Sequence, residues 1–389
     1  TFAVMATKYQ YVNGVVDYAE ATLGKKYAYY VGWFMALIYY PTLTSVLAWV
    51  SARYTCVLLG FSITGGECMT IAGLYLIASF ALNSLSPILA GKFQVSTTII
   101  KLIPLALMAV IGTIVGVGNG MIAYNFTTVV KEVNTSNALF TAVVATAFAY
   151  EGWIIATSIN AELKDAKKNL PLALVVGTFV IMIIYILYYI GLAGTVTNKV
   201  MMAGGEAGAK LAFQTVFSSV GGTLLFVFVI ISCLGTLNGL MLGCTRGIYS
   251  LAARNIGPKP DVFKQVDNVT NMPTNSSVFG LLLCGIWLLY FYGANLTKPW
   301  FGFFSFDSSE LPIVTIYALY IPIFIMMMKK EKDLSSFKRF IAPTISLAGC
   351  VFMIIAACFS HKMEVVAYLI VFAVVMIFGA MFSKEKIAE

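Results

Sequence analysis

Long apolar runs without charge govern what this chain can become. The stretches 69–90, 171–194 and 364–382 each run about 20 residues with at most one charge, enough for a helix to cross roughly 30 Å of hydrocarbon. Composition agrees. Hydrophobic residues make up 60% of the chain and charged residues 11%, against roughly 25% charged in an ordinary soluble domain. A soluble core has no use for so much apolar sequence, whereas a bilayer does.

Ten spans follow from this pattern: 27–59, 69–90, 96–118, 138–160, 171–194, 222–250, 276–294, 310–328, 341–360 and 364–382. The first and sixth are long enough to imply tilt or extension beyond the bilayer. The basic residues then sort by side. Of 25 Lys and Arg, 17 fall in loops on one side, and five (Lys131, Lys199, Lys210, Lys298 and Lys362) on the other. Arg53, Lys101 and Arg246 fall inside spans. Positive charge collects on the cytoplasmic side, so residues 8–26 and the tail 383–389 are expected there, in a multi-pass protein of the cell membrane. The outer loops 119–137 and 195–221 have room for short helices. The segment 255–276 reads as a cytoplasmic linker. Residues 1–389 form one transmembrane domain. Thr1 and the apolar Phe2–Ala6 read as the tail of a helix begun upstream, so the N-terminus is expected to be missing.

The net charge of +8 does not point to nucleic acid, because the basic residues sit in short loops and form no stripe on a folded domain. None of the seven Cys lies in a CxxC, and the only His is His361, so no metal, cofactor or redox site is expected. Cys56 and Cys68 flank one short loop and could pair on an oxidising face; most of the thiols read as packing residues. There is no P-loop and no nucleophile–base spacing, so the chain is expected to be neither an ATP-driven pump nor an enzyme.

Three embedded features could carry function. The segment 138–163, ALFTAVVATAFAYEGWIIATSINAEL, places Glu151 beside Gly152 in an apolar run. An ionisable group there is expensive and by default functional, and glycine weakens the helix. A break would expose N–H and C=O groups that only a cavity or ligand can satisfy, and the half-helix ends would suit the charged groups of a small zwitterion. Phe148, Tyr150 and Trp153 add aromatic surface. The alternative is an unbroken helix whose Glu151 pairs with a buried Arg or Lys. Lys101 is the second feature: it replaces a bound cation, or loses its proton and so couples transport to pH, or snorkels to the interface. The third is span 222–250, whose Gly235, Thr236, Asn238 and Gly239 suit close helix packing or a site wall.

The run FAYEGWIIATSINAELKDAKKNLPLAL (Phe148–Leu174) resembles the sixth helix and following loop of the amino acid–polyamine–organocation transporters. It is most similar to the L-type amino acid transporters and the bacterial serine/threonine exchangers. GTLNGLMLGCTRGIYSLAARN resembles the eighth helix of that family, STTIIKLIPLAL its fifth, and GPKPDVFKQVDNVTNMPTNS the loop before its ninth. The resemblance implies an all-α membrane protein with a LeuT-like 5+5 inverted repeat. About ten helices of an expected twelve are present, the first and most of the second being absent. It implies that Phe148 closes over substrate, that Ala149, Tyr150 and Glu151 form the unwound stretch contacting it, and that Gly152 and Trp153 continue the motif. It gives Lys101 the place of a sodium ion in related sodium-coupled carriers. Glu151 departs from the L-type pattern, which has Gly there, and so argues against bulky substrates.

The resulting expectation is a secondary transporter that exchanges small or neutral L-amino acids by alternating access, with Gly235 and Asn238 as candidate site wall. Proton-coupled symport and a transport-inactive sensor or truncated pseudotransporter are the alternatives. The bilayer and the amino acid are the expected partners. No obligate protein partner is implied, and homo-oligomerisation stays open.

Overall fold

The computed structural model describes residues 1–9, 11, 13–130, 138–158 and 163–383. Helix is the only regular secondary structure among them. Nine helices are long and apolar enough to cross a membrane. They are α3 (Lys25–Leu59), α4 (Gly66–Leu85), α5 (Pro87–Gly118), α9 (Ala166–Ala193), α11 (Ala207–Ala252), α13 (Thr274–Leu296), α14 (Leu311–Lys330), α15 (Phe337–His361) and α16 (Met363–Ala380). Short helices fill the gaps: α1 (Phe2–Lys8), α2 (Gly14–Leu23), α6 (Met121–Thr127), α10 (Asn198–Gly204) and α12 (Pro260–Phe263).

The tenth expected span, 138–160, is not continuous. It forms α7 (Ala138–Ala149), a non-helical stretch, and the four-residue α8 (Ile155–Ser158). Residues 159–162, Lys131, and Lys384 and Lys386 of the tail lie outside the described residues. Helix runs over Glu206–Ala252 but is broken at Ser218 (φ 64°, ψ −175°). The part before Ser218 is a short helix of the kind for which the loop 195–221 has room, and the part after it begins close to the expected start of the sixth span. Cys56 and Cys68 are buried free thiols.

Burial separates a central helix from a lipid-facing ring. The apolar window of α3 is 94% buried, whereas those of α9 and α16 are 11% and 17% buried. Over residues 171–193 of α9 and 365–380 of α16 the side chains that face outward are mainly apolar, as lipid requires. Lipid gives apolar helix faces no reason to associate, so small residues and polar bonds do that work. Gly112 of α5 and Gly191 of α9 meet backbone on backbone. A Cβ on Gly112 would sit 2.5 Å from the Gly191 carbonyl oxygen, and one on Gly191 would strike the Met108 carbonyl. Between α4, α5 and α11, Asn83 donates to the Asn238 side-chain oxygen (2.9 Å), and Asn238 donates to Gln94 (3.0 Å).

Gly191→Val should therefore push α9 off α5 and destabilise the bundle by about 1–3 kcal/mol, the usual cost of overpacking. Gly177→Val, where a Cβ meets nothing within 4 Å, should be neutral. Thermal unfolding in detergent checks both, and equal melting temperatures would refute the close contact.

Candidate functional site

The helix breaks where an acid and a glycine adjoin. After Ala149, regular bonding gives way to single turns: Glu151 N–H donates to Phe148 O (3.2 Å), Ile155 N–H to Gly152 O (3.1 Å) and Ala156 N–H to Trp153 O (3.2 Å). Gly152 takes φ 108°, a left-handed value that side chains resist. Among the described residues, the N–H groups of Trp153 and Ile154 donate to no backbone carbonyl. Such groups inside an apolar bundle need a partner.

Tyr39 donates its hydroxyl to Glu151 Oε1, and no Lys or Arg pairs with the carboxylate among the described residues. Tyr39 ends a π-helical turn, Met35–Tyr39, inside α3. Such turns insert one residue and re-aim the side chains that follow. Tyr317 and Tyr320 of α14 lie close enough to Glu151 to interact with it electrostatically. Tyr320 is 2% exposed, and its hydroxyl has no partner among the described residues. Glu151 thus sits in a cage of tyrosines drawn from two other helices. The chain gives no local sign of this, because an aromatic residue in a membrane span reads the same whether it faces a site or lipid.

The two aromatics flanking the break turn inward. Phe148 and Trp153 pack against the main core, and the Trp153 ring lies 6.2 Å from Tyr320 and 5.3 Å from Phe2. Ala149 and Tyr150 face outward. Tyr150, 36% exposed, packs at 5.0 Å on Tyr185 of α9, whose hydroxyl donates to the Ala149 carbonyl (3.3 Å). An open groove of about 410 Å³ runs past them, lined by Thr146, Ala149, Tyr150, Tyr185, Ile186 and Tyr189 among others.

The remaining candidates stand apart from this segment. Lys101 lies half-buried on α5 beside Cys233 of α11, and no hydrogen bond or ion pair holds its ammonium among the described residues. Gly235 meets Thr97 of α5 so closely that a Cβ would lie 2.7 Å from the Thr97 Cβ. Asn238 belongs to the Asn83–Gln94 network. No hydrogen bond among the described residues joins Asn238 to Glu151.

Beneath the break lies a strut. A Cβ on Gly14, at the start of α2, would sit 2.5 Å from the Thr157 Cβ of α8. Three residues on, Asp17 (side chain 1% exposed) pairs with Arg254 at the end of α11. Arg254 also reaches Glu20 (3.0 Å) and the Ser250 carbonyl (2.6 Å). Burial raises the Asp17 carboxyl to about 6, while Arg254 and the N–H groups of Tyr11 and Asn13 pull it back down. One ion-paired short helix therefore buttresses the second half of the interrupted helix and ties it to α11.

A broken membrane helix around a caged acid, inside a bundle of apolar spans, is the architecture of a membrane carrier. The amino acid permease family matches residues 1–382, and the chain belongs to that family. It is an all-α, multi-pass membrane protein of amino acid transport. It is 27% identical to the serine/threonine exchanger SteT of Bacillus subtilis (strain 168), over 91% of this chain and 78% of that protein. It is 25% identical to the cadaverine/lysine antiporter of Escherichia coli (strain K12), over 81% and 70%. It is likewise 25% identical to the aspartate-proton symporter of Bacillus subtilis (strain 168), over 73% and 56%.

Asp17 supplies a signed pH prediction. A carboxyl raised from the usual ~3.9 to about 6 favours the folded state when protonated. Its contribution is fully present below about pH 4 and is lost as pH rises through about 6. Asp17→Asn should flatten that part of the melting-temperature profile. Arg254→Ala should extend the fall to higher pH, because without the guanidinium the buried carboxyl resists ionisation further. Tryptophan-fluorescence melts across pH 4–8 read both, and parallel profiles in all three proteins would refute the coupling.

Proposed function

We propose that the chain is a secondary transporter that exchanges small or neutral L-amino acids across the cell membrane by alternating access within a 5+5 repeat, and that it carries no enzymatic activity. The observation behind this is the helix break at Tyr150–Ile154, with Glu151 held by Tyr39 and two N–H groups free of backbone partners. Free N–H groups suit a substrate carboxylate. A carboxylate side chain next to them suits an ammonium or a hydroxyl, and leaves little room for bulky apolar groups. In this reading Phe148, Ala149, Tyr150, Glu151, Gly152 and Trp153 contact substrate. Lys101 stands in for a coupling cation, Gly235 and Asn238 back the site, and the end bearing Lys8, Asp17 and Arg254 faces the cytoplasm. The likeness to a serine/threonine exchanger favours exchange.

A second reading, proton-coupled symport, draws on the membrane-embedded Glu151 itself and on the likeness to an aspartate-proton symporter. Intramembrane acids of this kind serve as proton relays.

Proteoliposomes containing the full chain separate the two. Exchange requires that uptake of labelled serine, threonine or alanine depend on amino acid loaded inside and ignore a pH gradient. Uptake into empty vesicles driven by a pH gradient would overturn it in favour of symport. Glu151→Gln should change substrate range or pH dependence while the protein still inserts. Transport identical to the parent would make Glu151 a structural residue.

A further inference from the structure

The one histidine of the chain lies at the opposite end of the bundle from the Arg254 strut. We infer that His361 is the centre of a pH-sensitive clasp binding the start of α14 to the α15–α16 turn, and that protonating it slows transport. The functional part of this rests on the proposed transport activity; the clasp itself does not.

Three segments meet at the ring. His361 ends α15, and its Nε2 lies 2.8 Å from an oxygen of Glu310, which precedes α14. Its Nδ1 lies 3.5 Å from Glu364 in the first turn of α16. The same Glu364 oxygen accepts the Asp307 N–H (3.2 Å), and Asp307 Oδ1 accepts the N–H groups of Ser309 (2.6 Å) and Glu310 (3.1 Å). The ring is sheltered, its side chain 12% exposed, and the carboxylates lie further out, Glu310 at 21% and Glu364 at 46%. Asp307, Glu310 and Glu364 are the charged groups acting on the ring, with Lys362 next to it in sequence. Helix α7, which packs on α15 through Phe140 and Phe359 (4.9 Å), contributes no titratable residue between Ala138 and Ala149.

The chemistry depends on one proton. A neutral imidazole has a single N–H and can donate to one carboxylate; the imidazolium has two and can donate to both. An imidazole changes charge between about pH 5 and 8. Acid therefore converts a single contact into a bridge across α14, α15 and α16, and places a cation among three carboxylates. The consequence reaches the site through α14, which carries Tyr317 and Tyr320. The upper half of α14 is already tied to α16 by Thr315 and Tyr368 (2.7 Å). Locking its start as well restrains the helix that forms one wall of the Glu151 cage.

The test uses the full chain, His361→Gln, which keeps a donor but cannot charge, and Glu364→Gln, which removes the carboxylate facing Nδ1. Uptake is measured at equal pH on both sides of the vesicle from pH 8 to 5.5, and melting temperature in detergent over the same range. A clasp of ordinary partly exposed ion-pair strength predicts that parent uptake falls roughly 2- to 5-fold more on acidification than that of His361→Gln. It also predicts that parent melting temperature gains on His361→Gln as pH falls, with Glu364→Gln in between. If the parent moves no amino acid but shows this difference in melting, the transport reading fails and the clasp stands. If parent and His361→Gln share one melting profile and one uptake profile, the clasp is overturned.

Discussion

Everything in this molecule answers to the rule that a backbone inside a bilayer must satisfy its own hydrogen bonds. Nine spans obey it as helices. One stretch does not, and its neighbourhood is built to tolerate the exception. Tyr39 meets the acid, Tyr185 meets the Ala149 carbonyl, Gly152 takes the left-handed turn, and α2 braces the far side through Gly14 and Thr157. Trp153 and Ile154 keep N–H groups that no backbone carbonyl among the described residues satisfies. A protein that commits α2, α3 and α9 to supporting a break has a use for what the break exposes.

Two kinds of contact hold the bundle, and they differ in what they allow. Glycine seams such as Gly112–Gly191 bring backbones together and leave no side chain to rearrange. Polar clasps such as Asp17–Arg254 and His361–Glu310 join helix ends through side chains instead, whose charge and rotamer can change. The clasps sit at the helix ends, above and below the interrupted segment. The seam joins α5 to α9, in the lipid-facing ring.

Much of the fold is legible in the chain because the bilayer sets a length of about 20 apolar residues per span. The break is legible as well, since an acid beside a glycine fits poorly in an unbroken helix that faces lipid. The stretch 206–221 has room for a short helix, and the structure places one there, broken from the sixth span at Ser218. The site's surroundings are less legible. Tyr39 lies 112 residues from Glu151, and nothing in the sequence marks the π-turn that aims it. Asp17 and Arg254 are separated by 237 residues. Gly235 and Asn238 belong to a residue class that serves helix packing and site walls alike, so spacing alone does not separate the two uses.

The π-turn at Met35–Tyr39 has a consequence for how this helix can vary. Such a turn acts as a one-residue insertion, and removing it would rotate everything beyond by about 100° relative to everything before. Before the turn, the Trp33 indole must reach the Val375 carbonyl of α16 (2.9 Å). At its end, Tyr39 must face Glu151 and Tyr40 must lie against Gly243 of α11, where a Cβ would come within 2.7 Å of its ring. A regular α3 could meet only the first demand or the other two. The helix is therefore two rods in fixed phase, one aligned to α16 and one to the interrupted segment and α11. Substitutions are tolerated along either rod far more readily than any change in the number of residues between them.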